Sequence, residues 1–248
     1  MMNKKALVIG GSNGIGLAVV QQLKKTHQVT VLDLVSPEIS DDITYEHFDV
    51  TAENFSVLDK YQDVDTLFIT VGFGKLALFE DIPEEMIAEY FNVNTIGVIR
   101  ILKHFYDLLL ANENFHCGVM VSISGFMTSP FFSLYGASKA ALKIFIESVN
   151  AELTKAGTAN RILNVSPGSI KGTKFNGGLN NLDETTSLAI EIIEHLNAKD
   201  DLFIPKYEEV FKNVLERYAA DFRAEGLHSY EYKSVSYTHL TLPTICSV

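Results

Sequence analysis

The sequence predicts an α/β fold, a doubly wound sandwich in which a mostly parallel central sheet carries helices on both faces. Short apolar runs alternate with stretches of helical periodicity from residue 4 to about residue 206, which is the pattern of repeated βαβ units. No proline-rich or serine-rich linker and no internal repeat interrupts this alternation. With 248 residues and 47% hydrophobic content, the chain can bury one substantial core. We therefore predict a single domain over residues 1–234.

The first unit of this pattern is a strand, a glycine loop and a helix. The run Lys5–Ile9 stops at Gly10, and apolar residues recur with helical spacing from Ile15 onward. Glycines in such a loop permit a tight turn, close approach of the backbone to a pyrophosphate, and close packing of helix on strand. The helix N-terminus then faces the phosphates. The predicted dinucleotide-binding residues of the loop are Gly10, Ser12, Asn13, Gly14, Ile15 and Gly16.

Two other interpretations of the glycine loop make different demands on the sequence. An ordinary glycine turn without a ligand is the simpler one, because short glycine patterns recur without ligands. A triphosphate-binding loop requires Gly-Lys-Ser/Thr after the glycines to hold a terminal phosphate and magnesium. That sequence is absent here, so the triphosphate interpretation is disfavoured.

An acidic residue ends the second predicted strand. Asp33 lies seventeen positions after Gly16, where a carboxylate can accept hydrogen bonds from an adenosine ribose and repel a 2′-phosphate. No Arg or Lys lies between Lys25 and Lys60, so the cation that would neutralise such a phosphate is missing nearby. These features favour NAD over NADP as the cofactor. The alternative is that Asp33 only caps a loop.

A tyrosine and a lysine stand four residues apart in the segment Y-G-A-S-K, at the start of a helical stretch. This spacing places Tyr135 and Lys139 on one face of the helix, where the cation can stabilise a phenolate. The chain has ten tyrosines, so one such pair is expected by chance. Its position relative to the glycine loop makes it informative. Together the two motifs predict hydride chemistry in which the phenol transfers a proton.

These motifs resemble the short-chain dehydrogenase/reductase family in its compact single-domain form, which has a Rossmann-type fold. The resemblance covers about Lys4 to Lys206 and includes an Asp-Val pair, Asp49 and Val50, and a Val-Asn-x-x-Gly motif that contains Asn94. It implies that Asp49 and Val50 lie near the adenine. It also implies that Asn94 helps to organise a water-mediated proton path, although an Asn in a kinked helix can serve the backbone alone.

Two further segments bear on the resemblance. After the fourth predicted strand the family has Asn-Asn-Ala-Gly, whereas this chain has Ile69-Thr70-Val71-Gly72 and keeps only the glycine. The segment Ser166–Thr173 matches the family's Pro-Gly segment. By the resemblance, backbone near Ile170 meets the nicotinamide carboxamide and Thr173 approaches the pyrophosphate. The other cofactor contacts implied in these segments are Gly72, Pro167 and Gly168.

The catalytic serine that the resemblance implies has two candidates. The family's usual spacing, thirteen residues before Tyr135, selects Ser122, whereas the carboxyl end of the apolar strand before it selects Ser124. We favour Ser124, because a side chain at a strand's carboxyl end faces the ligand crevice. The two serines have the same strand parity and differ only in depth. The predicted catalytic group is Asn94, Ser124, Tyr135 and Lys139.

The composition excludes several classes of partner. A net charge of −11 argues against nucleic acid and anionic membranes, which bind clustered Lys and Arg. The two cysteines and seven histidines show no ligand spacing, so we predict no metal. No run approaches transmembrane length, and a cytoplasmic location is the default. By resemblance, a homodimer or homotetramer is expected.

The substrate expected is a small alcohol or carbonyl compound. Aromatic and other apolar residues in the loops after Gly72 and Ser124 and in the segment after Gly168 suggest a hydrophobic one. Such residues are more often packing than recognition. Asn176 to Asp183 is either a mobile flap or an ordinary surface loop. The apolar loop residues in question are Phe73, Phe126, Met127, Phe131, Phe132 and Phe175.

Two other functions remain open at this stage. A dinucleotide-binding regulatory or scaffold protein without turnover is supported by the altered Ile69–Gly72 segment, but it has no need of Asn94, Tyr135 and Lys139. A methyltransferase can share the glycine loop and the acid, and it leaves Tyr135 and Lys139 unexplained.

The last residues, 235–248, abandon the charged helical pattern before them. They resemble translated adapter sequence, and we expect them to be a non-native tail; whether the authentic C-terminus is missing stays open.

Overall fold

The computed structural model describes residues 4–38, 41–173, 175 and 179–241, with residues 235–241 described by their backbone alone. Its strands are short, and helices lie between most of them, as the alternating pattern predicts; the described part of the link between His27–Asp33 and Ile43–His47 contains none. The strands are β1 Lys4–Ile9, β2 His27–Asp33, β3 Ile43–His47, β4 Thr66–Ile69, β5 His116–Met120, β6 Ile162–Val165 and β7 Leu202–Phe203. The helices are α1 Gly14–Leu23, α2 Glu85–Phe91, α3 Val98–His104, α4 Tyr106–Ala111, α5 Ser133–Lys155, α6 Leu182–Ala198, α7 Lys212–Ala220 and α8 Phe222–Thr241.

All strand pairs of the described chain are parallel and form one sheet in the order β3-β2-β1-β4-β5-β6-β7. The chain moves outward from β1 to β3 and then returns to the other side of β1 through β4. This reversal between β1 and β4 is the switch point at which doubly wound sheets bind ligands, outside the carboxyl ends of the strands. The predicted fold class is confirmed.

Alternation along β1 explains why the sheet is covered on both faces. Leu7 and Ile9 pack into one apolar cluster with α3, α4 and α5, whereas Ala6 and Val8 pack into another with α1 and α6. Successive strand residues point to opposite faces, and every residue of β1 from Ala6 to Ile9 is buried. A central parallel strand is therefore apolar throughout rather than alternating with polar residues.

A six-residue π-helical segment, Asn92–Gly97, connects α2 to α3. It inserts a wider turn into an otherwise continuous helical stretch, and such segments are frequent at functional sites. Asn94 and Thr95 of this segment are both buried. The segment therefore turns two polar side chains toward the protein interior, next to α5.

Helix α8 continues through residue 234 to Thr241. The domain boundary that we predicted between residues 234 and 235 therefore falls within a continuous helical backbone. No helix in the described part of the chain combines the length and the apolar character needed to cross a membrane.

The close packing of α1 on the sheet yields the first testable prediction. A Cβ atom at Gly16 would overlap the Gly10 carbonyl oxygen and lie 2.5 Å from Thr70 Oγ1. We expect Gly16→Ala to lower the free energy of unfolding by about 1–3 kcal/mol, as overpacking does. Urea denaturation measures this change.

The matched control is Gly157→Ala. Unlike Gly16, Gly157 has a left-handed φ of +84°, and a Cβ there meets nothing within 4 Å. This control is therefore expected to cost only the backbone strain, roughly 1–2 kcal/mol. Wild-type stability in Gly16→Ala would contradict the packing argument.

Candidate active site

The glycine loop is held between the ends of β1, β2 and β4. Gly10 has a φ of +87°, and its N–H donates to the Leu32 carbonyl oxygen at 2.8 Å. Thr70 Oγ1 donates to the Gly10 carbonyl oxygen at 2.5 Å. The Thr70 hydroxyl therefore ties the end of β4 to the loop, at a segment where the family's usual asparagines are missing.

The N-terminus of α1 holds a side-chain oxygen. Gly14, the first residue of α1, donates its N–H to Asn180 Oδ1 at 3.0 Å. Asn180 Nδ2 in turn donates to Asn13 Oδ1 at 3.0 Å. The first turn of α1 contains no acidic residue, so the partial positive charge of the helix end faces a neutral amide oxygen. Helix N-termini of this kind bind phosphate, and an acceptor atom already occupies that position.

Asp33 lies beside the same loop. Its Oδ2 accepts from Ser12 N at 3.0 Å, and its Oδ1 accepts from Leu34 N at 2.7 Å. Both contacts are with backbone N–H groups. The two residues that follow, Leu34 and Val35, are exposed. The carboxylate is thus fixed at the end of β2 with apolar neighbours in sequence, as expected for a ribose-binding position.

Asp49 caps a turn at the end of the next segment. Its Oδ1 accepts from Thr51 N at 2.8 Å and from Thr51 Oγ1 at 2.7 Å. These bonds hold the pKa of Asp49 below its usual range, because they stabilise the charged form. The neighbouring Val50 is buried.

The segment after β6 reaches the glycine loop from the other side. Pro167 O accepts from Ile123 N at 3.1 Å, and a Cβ at Gly168 would lie 2.6 Å from the Phe211 ring. Thr173 Oγ1 donates to the Ile170 carbonyl oxygen at 3.1 Å. Thr173 also lies against Gly14: its Cβ would be 3.4 Å from a Cβ placed there. This segment therefore lies beside the glycine loop, and its contacts with a cofactor stay a prediction. Residues 176–178 of the predicted flap lie outside the described chain.

Tyr135 is near the start of α5 and is buried. The Ser122 hydroxyl acts on its phenol as a hydrogen-bonding neighbour that lowers the pKa. Ser122 Oγ also accepts from Ser124 N at 3.1 Å, whereas Ser124 Oγ lies 3.4 Å from Ser129 Oγ. Ser122, and not Ser124, is thus the serine beside the Tyr135 phenol, and the catalytic role that we predicted for Ser124 stays a prediction.

The physical reason is where the strand ends. β5 stops at Met120, and Ser124 lies in a 3₁₀ turn, Ile123–Gly125. The alternation that gives Ser122 and Ser124 the same parity applies only within an extended strand. The turn instead directs Ser124 into the following loop.

Lys139 and Asn94 converge on Gly72. A Cβ at Gly72 would lie 3.1 Å from Asn94 Oδ1 and 3.2 Å from Lys139 Nζ. Lys139 Nζ donates to the Met120 carbonyl oxygen at 2.9 Å and is 5.9 Å from the Tyr135 ring centroid. Gly72, Lys139 and Tyr135 therefore border one small region at the carboxyl ends of β4 and β5.

Asn94 is fixed by a loop and by α5. Its Oδ1 accepts from Phe73 N at 2.9 Å, and its Nδ2 donates to Phe73 O at 2.9 Å. Nδ2 also donates to Ser138 Oγ at 3.1 Å, and Thr95 Oγ1 donates to Ser138 O at 2.9 Å. The sequence analysis missed Ser138, which lies between Tyr135 and Lys139 and anchors the π-helical segment to α5.

Burial sets the charge states of the two central side chains. It raises the pKa of Tyr135 to about 12, against the opposing effect of the Ser122 hydrogen bond. It lowers the pKa of Lys139 to about 7, because an ammonium loses hydration in the interior. The expected lowering of the Tyr135 pKa by Lys139 is therefore not present in this geometry, where no hydrogen bond joins the ammonium to the phenol.

Comparison with known proteins identifies this arrangement. A family model for short chain dehydrogenases matches residues 4–183. The chain belongs to the short-chain dehydrogenase/reductase family. It is an oxidoreductase of that family, as the sequence predicted.

Two relatives of this chain are an uncharacterized oxidoreductase and a retinol dehydrogenase. The uncharacterized oxidoreductase YusZ of Bacillus subtilis is 31% identical over 199 residues, which cover 73% of this chain and 70% of the relative. Retinol dehydrogenase 8 of Bos taurus is 26% identical over 230 residues, covering 85% of this chain and 73% of the relative.

Two solved short-chain dehydrogenase structures share the fold. A family member from Burkholderia phymatum in complex with NAD has a TM-score of 0.76 at 16% identity, covering 91% of this chain and 97% of that one. An alcohol dehydrogenase from Thermococcus sibiricus, complexed with 5-hydroxy-NADP, has a TM-score of 0.67 at 23% identity, covering 81% and 95%. One neighbour holds NAD and the other an NADP derivative, so the shared fold accommodates both kinds of cofactor.

The buried Lys139 predicts a pH-dependent stability. Its pKa is about 7 in the folded protein and 10.5 as the ordinary value, so the unfolded state binds more protons at this residue between those values. The free energy of unfolding must then rise with pH through this window. Without added nucleotide, we expect the stability advantage of Lys139→Met over wild type to shrink by on the order of 2 kcal/mol between pH 7 and pH 9.

Urea denaturation at the two pH values measures this change. Lys143→Met, in the next turn of α5 where Lys143 pairs with Glu147, is the matched control and should show no comparable change. Parallel pH profiles for wild type and Lys139→Met would show that Lys139 is protonated in the folded state.

Proposed function

We propose that the protein transfers a hydride between NAD(H) and a small alcohol or carbonyl substrate, with Tyr135 exchanging the proton. The observation that carries this proposal is the convergence of Asn94 and Lys139 on Gly72, with the Tyr135 ring beside Lys139, at the carboxyl ends of β4 and β5. A buried phenol beside a hydroxyl, here that of Ser122, suits proton exchange with a substrate oxygen. When bound, NADH supplies the hydride for reduction, and oxidation of the alcohol returns it.

The chain's own residues fit a dinucleotide. The N–H of Gly14 already donates to an acceptor oxygen, that of Asn180, as it would to a pyrophosphate oxygen. Asp33 lies beside the glycine loop, where we propose that it accepts hydrogen bonds from the adenosine ribose, and Thr173 lies against Gly14. We propose that the glycine loop, Asp33, Asp49, Val50, Gly72 and the Pro167–Thr173 segment together hold the cofactor.

Tyr135 holds a proton at neutral pH, because its pKa is raised to about 12 by burial. In the reductive direction this proton passes to the substrate oxygen while the carbonyl carbon receives the hydride. The Ser122 hydroxyl orients the same oxygen by a hydrogen bond. We assign this role to Ser122 rather than Ser124 because of the contacts described above.

Lys139 and Asn94 are proposed to act behind Tyr135. Lys139 Nζ uses one of its three donors on the Met120 carbonyl oxygen, which leaves donors for a cofactor ribose or a water. Asn94 fixes the Phe73 backbone beside Gly72. We propose that this region relays protons between Tyr135 and solvent.

From the family resemblance we propose a homodimer or homotetramer, with the cytoplasm as its default location. In the helical region 84–110, Ile87 and Ile96 are 37% and 48% exposed. Apolar side chains exposed on helices are suited to a subunit contact.

A screen of alcohols and ketones, read by nicotinamide absorbance, first finds a substrate that gives turnover. A mutation series assayed with that substrate then distinguishes the two serines. We expect Tyr135→Phe to lower kcat by about 10³-fold with NADH affinity nearly unchanged, because it removes one exchangeable proton. Ser122→Ala should cost about 10²-fold or more, and Ser124→Ala should stay within a few-fold of wild type.

Ser124→Ala serves as the matched control for Ser122→Ala. A reversed order of the two serines would return the catalytic role to Ser124. Full turnover in Tyr135→Phe would remove the proton donor from the mechanism.

Cofactor choice gives another prediction. We expect NADH to bind at least tenfold more tightly than NADPH, because the Asp33 carboxylate repels a 2′-phosphate. Asp33→Asn keeps the shape of the side chain and should narrow this ratio by about tenfold or more. Direct titration with both nucleotides at moderate salt measures it.

Asp63→Asn is the control for a lost surface carboxylate, since Asp63 pairs with Lys5 at the amino end of β1. It should leave the ratio unchanged. Equal affinity of the wild-type protein for NADPH and NADH would defeat the proposed NAD preference.

A further inference from the structure

A cavity that opens to the surface lies next to the proposed active site. It has a volume of about 470 Å³ and is bordered by the loop after Ser124, one side of α5 and Tyr218 of α7. Its volume is within the range of small-molecule sites. Tyr135 and Ser122 are not among its lining residues. Phe132 lines it, and its ring centroid is 5.8 Å from that of Tyr135. The Phe132 ring therefore borders both the cavity and Tyr135.

The walls of the cavity are amphiphilic. Phe126, Met127 and Phe132 supply apolar surface. Ser124 and Ser129 supply hydroxyl groups whose oxygens are 3.4 Å apart. Sites with mostly apolar walls and a few convergent polar groups are suited to small organic ligands. The lining alone predicts a ligand with an apolar body and a polar end.

A lysine from α8 marks the polar end. Lys233 Nζ donates to Ser129 Oγ at 2.6 Å and to the Pro130 carbonyl oxygen at 3.3 Å. It lies 5.5 Å from the Phe132 ring centroid. Both Ser129 and Pro130 line the cavity. The ammonium is thus at the edge of the cavity, and one of its three donors is left over after these two bonds.

This ammonium has no charged partner among the described residues. Its two acceptors are neutral, and Glu225 of the same helix is engaged by Arg217 at 2.7 and 3.0 Å. Burial lowers the pKa of Lys233 to about 8, with no carboxylate to oppose it. A partly buried cation without a counter-ion is costly, and an anion placed beside it relieves that cost.

We propose that this cavity binds a small amphiphilic carboxylate, with its carboxylate on Lys233 and Ser129 and its apolar chain against Phe126, Met127 and Phe132. The charge of Lys233 selects the anion, and the walls select the chain. The site is distinguished from the hydride-transfer site by its lining, which includes neither Tyr135 nor Ser122. It does not depend on the proposed reaction.

Calorimetric titration with octanoate tests the proposal, with octanamide as the uncharged probe of the same length. We expect octanoate to bind the wild-type protein at least tenfold more tightly than octanamide. Lys233→Met should reduce octanoate affinity to the octanamide level. Lys212→Met, which removes a lysine that pairs with Glu208 on the surface, should leave octanoate affinity unchanged. Equal affinities for the two probes, no octanoate binding at millimolar concentration, or an unaffected Lys233→Met would each overturn the proposal.

A cavity-filling variant locates the ligand. Ala137 is an exposed α5 residue that lines the cavity, and Ala137→Phe should abolish octanoate binding with the unfolding transition preserved. Octanoate binding that survives Ala137→Phe would place the ligand elsewhere and refute the assignment. A second result would also refute the assignment: size-exclusion chromatography shows a wild-type dimer that binds no octanoate, and Ala137→Phe disrupts this dimer. In that case a second copy of the chain would occupy the cavity.

Discussion

The close approach of α1 to the ends of β1 and β4 is the constraint on which the rest of the site depends. Gly16 allows the helix backbone to reach the Gly10 carbonyl oxygen, and Thr70 bonds that same oxygen. If the helix stood further from the sheet, its N-terminus would not lie beside Asp33 and Thr173. The glycines of the loop therefore allow close packing, and this packing positions the backbone N–H groups so that they can bind an anion.

The second organising feature is the removal of water from the carboxyl ends of β4 and β5. Tyr135, Lys139 and Asn94 are all buried there, and Gly72 leaves room for the last two to meet. Burial favours the neutral form of each titratable group. The tyrosine consequently keeps its proton, and the lysine gives its proton up near neutrality. A negatively charged or hydrogen-bonding ligand in this region would raise the pKa of Lys139 again, because it would stabilise the ammonium.

The sequence predicted the fold and the main elements of the site because these depend on local patterns. Apolar runs followed by glycine define strand, loop and helix, and the four-residue spacing of Tyr135 and Lys139 follows from helix geometry. The choice between Ser122 and Ser124 could not be made in this way. It depends on β5 ending at Met120 and on a 3₁₀ turn after it, and strand boundaries are set by pairing rather than by residue type.

Contacts between residues far apart in the chain could not be predicted from the sequence either. Nothing near Asn180 signals that its amide reaches the start of α1, because an asparagine in a polar loop is ordinary. Lys233 lies far along the chain from Ser129, and only the packing of α8 brings them together. Ser138 was overlooked because a serine inside a helix motif carries no signal of its hydrogen-bond partners.

The Asn180 amide at the start of α1 makes occupation of the helix N-terminus an exchange reaction. A phosphate oxygen that accepts from the Gly14 N–H must displace the Asn180 amide oxygen. Because Asn180 belongs to the same chain, its local concentration at the helix end does not vary with solution conditions. The apparent affinity for such a ligand is then its intrinsic affinity multiplied by the fraction of molecules in which the amide has withdrawn. Substitutions near Asn180 that change how often its amide leaves the Gly14 N–H therefore change the ligand concentration that is needed to fill the site.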